Sequence, residues 1–63
     1  NHFTLYNKTN NNITIDIFNI IGDMIYSSIL NPWHNNLDLS FAKSGLYFLK
    51  IRENNEVFKI IKN

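Results

Sequence analysis

The side chains able to do chemistry are few and scattered. His2 and His34 are the only histidines, and Asp16, Asp23 and Asp38 are the only aspartates. Metal binding needs several donors converging on one point, but the chain has no cysteine and no carboxylate at ligand spacing from either histidine. His34, beside Trp33, reads as a solvated loop side chain. Each aspartate falls on the polar face of a strand or in a turn, where solvation accounts for it without a catalytic pair. Ser27, Ser28, Ser40 and Ser44 lack the sharp glycine-flanked elbow that exposes a nucleophile. With no phosphate-cradling glycine loop and too little chain to enclose a dry pocket, no catalytic, cofactor or metal site is expected, and the chain is not expected to be an enzyme.

Two further patterns have chemical meaning. Asn7-Lys8-Thr9 and Asn12-Ile13-Thr14 match the glycosylation sequon, a short pattern that arises readily by chance among twelve asparagines. Trp33, after Pro32, offers either a platform for stacking on a sugar ring or a cover for one end of a small core.

Composition narrows the class. A chain of 63 residues makes one small domain, residues 1–63, or a fragment cut from a larger protein. Ten isoleucines and five phenylalanines favour a pleated, half-buried surface over a helix. The formal net charge of +1, with acids and bases interspersed, provides no basic stripe for nucleic acid. No segment reaches the roughly 18 apolar residues of a membrane helix, and Asn1 onward lacks the basic and apolar regions of a signal peptide. Without disulfides, stability must come from packing or from a neighbouring domain.

The elements that would position these groups are strands. Phe3–Tyr6 alternates weakly, as a short edge strand would. Ile13, Ile15 and Ile17 alternate with Thr14 and Asp16, the period of a strand with one face in a core. Gly22 supplies the positive φ for a turn into a second strand over Met24–Leu30, making residues 13–30 a hairpin. Residues 31–36 read as a loop around Pro32, and Leu37-Asp38-Leu39 as a brief strand. Ser40–Ser44 makes one turn closed by Gly45. A last hairpin joins Leu46–Arg52 to Val57–Lys62 through Asn54-Asn55. The fold class is therefore all-β, a small antiparallel sandwich of about six or seven short strands.

The last hairpin is the most telling part. Tyr47, Leu49 and Ile51 alternate toward a core, while Leu46, Phe48, Lys50 and Arg52 face away. In the final strand Phe58 and Ile60 share one face and Val57, Lys59 and Ile61 the other. Lysines on such a strand guard an edge against aggregation, or they form part of a recognition surface with the apolar residues around them. Periodicity leaves both readings open. An unpaired terminal strand is also able to associate with another copy.

An Ile-rich strand running into Asn19-Ile20-Ile21-Gly22-Asp23-Met24-Ile25 is followed by Leu37-Asp38-Leu39-Ser40. Then come Ser44-Gly45-Leu46-Tyr47-Phe48-Leu49-Lys50-Ile51 and a final Lys59-Ile60-Ile61-Lys62. In this order and at these spacings, residues 13–62 resemble the C-terminal sorting domain of type IX secretion (Por secretion system) substrates of Bacteroidetes. The departure is Tyr6-Asn7-Lys8-Thr9, near where members carry Tyr-Pro-Asn-Pro. The resemblance implies an Ig-like β-sandwich that targets a covalently linked N-terminal cargo domain. It implies passage through the periplasm, recognition by the type IX translocon, a secreted or cell-surface destination and removal by a sortase-like signal peptidase. It also implies recognition through Gly45, Leu46, Tyr47, Lys50, Lys59, Ile60, Ile61 and Lys62. Gly45 would permit the turn, Tyr47 would lock the hairpin, and the terminal lysines and isoleucines would face the translocon. It implies no cofactor, no nucleic acid and no membrane insertion. The rival readings are an Ig-like accessory module that binds carbohydrate or a protein through the Trp33 loop, and a structural spacer.

Overall fold

Residues 2–63 are described by a computed structural model, and they fold into six antiparallel strands. These are β1 (His2–Asn7), β2 (Ile13–Phe18), β3 (Met24–Leu30), β4 (Trp33–Asp38), β5 (Gly45–Ile51) and β6 (Val57–Lys62). A four-stranded sheet runs in the order β3-β2-β5-β6, and β1 and β4 pair as a two-stranded sheet. The two sheets form a small β-sandwich around Ile15, Ile17, Leu30, Leu37, Leu39, Tyr47, Leu49 and Ile60.

The isoleucine alternation of β2 becomes geometry directly. Ile15 and Ile17 are fully buried, because the strand is central in its sheet and its inner face meets β1 and β4. A bulge interrupts the β2–β3 register: Ile17 pairs with Tyr26, but Phe18 pairs with Met24. The extra residue, Ile25, joins Tyr26 in packing against the core, so the bulge adds an inward side chain where strict alternation would turn it out.

Asparagines shape the turns as the composition predicts. Asn19 Oδ1 accepts from the backbone N–H of Ile21 (3.2 Å) and Asp23 (2.9 Å), and Gly22 takes φ 91° between them. Asn55, at φ 62°, takes the left-handed position in the β5–β6 loop that glycine would otherwise fill. Ser40–Ser44 makes the expected single turn, closed by Ala42 N–H to the Leu39 carbonyl at 3.0 Å.

Two expectations need correction. Trp33–Asn36 is the first part of β4 and not a loop. Pro32 costs the ladder nothing because it precedes the strand, and the polar residues are tolerated because one face of this two-stranded sheet is solvated. Asp16 is buried, 5% exposed, where a solvated carboxylate was expected. It lies on the outer face of the four-stranded sheet, yet the Arg52 and Ser27 side chains bind it there.

Candidate functional site

Strand pairing divides the closing hairpin into two faces. Leu46 pairs with Ile61, Phe48 with Lys59 and Lys50 with Val57, all on the outer face. Gly45 pairs with Lys62, Tyr47 with Ile60 and Leu49 with Phe58, all toward the core. Of the eight residues implicated by sequence, Leu46, Lys50, Lys59 and Ile61 therefore share the outer face. Gly45, Tyr47, Ile60 and Lys62 stand behind them.

Neighbouring strands extend the outer face. Phe48 pairs with Phe18, and Phe18 in turn with Met24; Lys50 pairs with Asp16, and Asp16 with Ser27. The resulting surface mixes apolar side chains with lysine: Ile61 is 68% exposed, Val57 and Met24 are also exposed, and Phe18 and Phe48 are half-buried. Phe18 and Met24 carry no mark of this placement in the sequence, since only the sheet order puts them on the same face as Leu46 and Ile61.

The only carboxylate that the pairing places on this face is already occupied. Asp16 accepts from Arg52 Nη2 at 2.8 Å and Nε at 3.2 Å, and from Ser27 Oγ at 2.8 Å. The Arg52 guanidinium, then the Ser27 hydroxyl, hold the Asp16 carboxyl below its ordinary range. Among the described residues the other ion pair is His2 with Asp38, 3.6 Å apart; no carboxylate lies within ion-pair distance of Lys50 or Lys59, although the Lys50 charge across the strand also favours ionised Asp16.

The inward-facing residues fix the hairpin from behind. The Tyr47 hydroxyl donates to the Lys43 carbonyl four residues upstream, the pattern of a tyrosine corner. Lys62, 7% exposed, donates from Nζ to the Ala42 carbonyl at 2.7 Å. Thus Tyr47 and Lys62, one from each strand of the hairpin's core face, grip the same turn. Gly45 enters β5 at φ 148°, and a Cβ there would meet nothing within 4 Å, so its conformation and not crowding favours glycine. At the far end, both Glu53 carboxylate oxygens accept from Thr14 N–H (2.9 and 3.1 Å), which ties the β5–β6 loop to β2.

The remaining chemical candidates are explained by the fold. Asn7 ends β1 at 2% exposure; its amide donates to the Asn11 and Leu30 carbonyls and its oxygen accepts from Thr9. The first sequon is therefore a closed structural knot and not a loop acceptor. His34 is exposed on β4 with its ring edge-on to Tyr6, centroids 5.7 Å apart. Trp33 is exposed rather than folded over the core, at φ 73°. An apolar groove of about 490 Å³ lies between β1 and β6, lined by Phe3, Leu5, Leu49, Phe58 and Ile60.

The model of the secretion system C-terminal sorting domain family matches residues 1–63, the whole chain. The chain belongs to this family. Such a sorting domain is the targeting signal of type IX secretion, which directs export to the cell surface or the medium. No curated protein and no solved structure matches the chain.

Proposed function

We propose that residues 1–63 are the export address of a covalently linked N-terminal cargo, and that the secretion machinery reads the outer face of the β3-β2-β5-β6 sheet. Leu46, Lys50, Lys59 and Ile61 make the contact. Gly45, Tyr47, Ile60 and Lys62 act from behind by fixing the strands that present them. The observation that carries this reading is the exposed apolar and basic mixture on one sheet face, continuous over both strands of the closing hairpin.

The cargo reaches this step through the periplasm, a sortase-like peptidase removes the domain after crossing, and the domain itself catalyses nothing. The sheet orders support an immunoglobulin-like assignment, with β3-β2-β5-β6 as C′-C-F-G and β1-β4 as B-E. The tyrosine corner at the start of β5 fits the same assignment.

Truncating Lys59–Asn63 is a blunt test, because it removes the core side chain Ile60 together with the exposed Ile61. Point substitutions separate the two roles. In a type IX-competent host carrying a reporter joined ahead of Asn1, Leu46→Asp and Ile61→Asp are expected to block surface delivery while the domain still melts cooperatively. Trp33→Ala, on the other sheet, should export normally. Normal delivery of both outer-face variants overturns this reading, and loss of carbohydrate or protein binding in Trp33→Ala would then favour an accessory module built around Trp33.

A further inference from the structure

The outer face also indicates the chemistry of what docks on it. Lys59 pairs with Phe48 and Lys50 with Val57, so the two lysines are diagonal neighbours across β5 and β6. No carboxylate of the described residues lies within ion-pair distance of either; Asp16, opposite Lys50, feels its charge but accepts its hydrogen bonds from Arg52 and Ser27. Asp16 offsets the Lys50 charge only through space, and Lys59 faces no carboxylate across the sheet, so both ammonium groups keep donors for an outside acceptor.

Edge protection explains only one of them. Lys59 lies on β6, whose outer edge is free, and a lysine there blocks edge-to-edge pairing. Lys50 lies on β5, hydrogen-bonded on both sides by β2 and β6, where there is no edge to guard. Around the pair, Leu46, Phe48, Val57 and Ile61 leave an apolar surface in water. An anionic membrane is a poorer match, because a net charge of +1 and two lysines fall short of the basic cluster that surface attraction requires.

Resting on the reading that this face is the one recognised, we propose that its partner is a protein surface with an apolar centre and carboxylates set to meet Lys50 and Lys59. The lysines provide orientation and the apolar side chains provide contact area.

The test uses the same reporter fusion. Lys50→Glu with Lys59→Glu should lower surface delivery about ten-fold or more, since it sets like charges against each other at the contact. Lys50→Arg with Lys59→Arg should stay within about two-fold of wild type, because charge is kept where no fixed hydrogen-bond geometry is needed. The purified variants should still melt cooperatively, the charge-reversed pair somewhat below wild type because Lys50→Glu sets a second carboxylate opposite Asp16. Wild-type delivery of the charge-reversed pair overturns the proposal. If Leu46→Ser with Ile61→Ser is blocked in the same assay, only the partner chemistry falls; if that pair is also delivered normally, the reading of the face falls with it. Sedimentation of the purified domain with phosphatidylglycerol vesicles but not phosphatidylcholine vesicles, lost in the charge-reversed pair, would assign the lysines to lipid and overturn the proposal as well.

Discussion

Lys62 shows how a residue's neighbours revise its meaning. A lysine near the end of a terminal strand looks like a contact for a receptor, but its side chain is buried and bonded to the Ala42 carbonyl. Lys62→Met keeps the stem and removes the ammonium, leaving that carbonyl without its donor; it should cost about 1–3 kcal/mol, measured by chemical denaturation. Tyr47→Phe removes the hydroxyl bound to the Lys43 carbonyl and should cost about 1 kcal/mol by the same measurement. Asp16 gives a pH signature. Its folded-state carboxyl is held below the ordinary value of 3.8, so its contribution to stability is fully present above that value. The contribution disappears as pH falls through the lower folded value. Thermal melting against pH should therefore show Asp16→Asn destabilised relative to wild type at pH 6, with the difference shrinking below about pH 4.

Elements were legible in the sequence to unequal degrees. Three alternating isoleucines identify β2, and Gly22 fixes the turn after it, because one buried face and one positive φ each leave a mark in a single segment. β4 left no such mark. Its Trp-His-Asn-Asn start is polar, and it becomes a strand only because β1 pairs with it residue for residue from Asn7↔Trp33 to His2↔Asp38. A residue's pairing partner is not visible from its own neighbours in sequence. Gly45 tests the element scale: at φ 148° with open space around the missing Cβ, Gly45→Ala should cost about 1–3 kcal/mol through backbone strain alone. A lowered denaturation midpoint with an unchanged far-ultraviolet spectrum would separate that strain from disruption of the strand.

At the scale of the whole molecule, two strands cover four. The mismatch leaves the groove between β1 and β6 open and concentrates the core on a few side chains. Leu39 is one of them: it follows β4 outside any strand, yet it is fully buried. Leu39→Ala should cost about 2–5 kcal/mol, a large share of the stability open to so small a domain. Calorimetry should record a fall in melting temperature far greater than for Phe41→Ala, whose exposed ring sits two residues away.

The chain's own order of residues determined the all-β class, both hairpins, the one-turn connection before Gly45 and the inward side of β2 and β5. Those properties follow from local periodicity and turn chemistry, which are properties of short segments. Tertiary structure decided which of the implicated residues face outward together, that Asp16 is buried and bound, and that Lys62 holds a turn instead of meeting solvent. Those facts depend on strand order and on contacts such as Asp16 with Arg52, 36 residues apart, which no short stretch of sequence encodes.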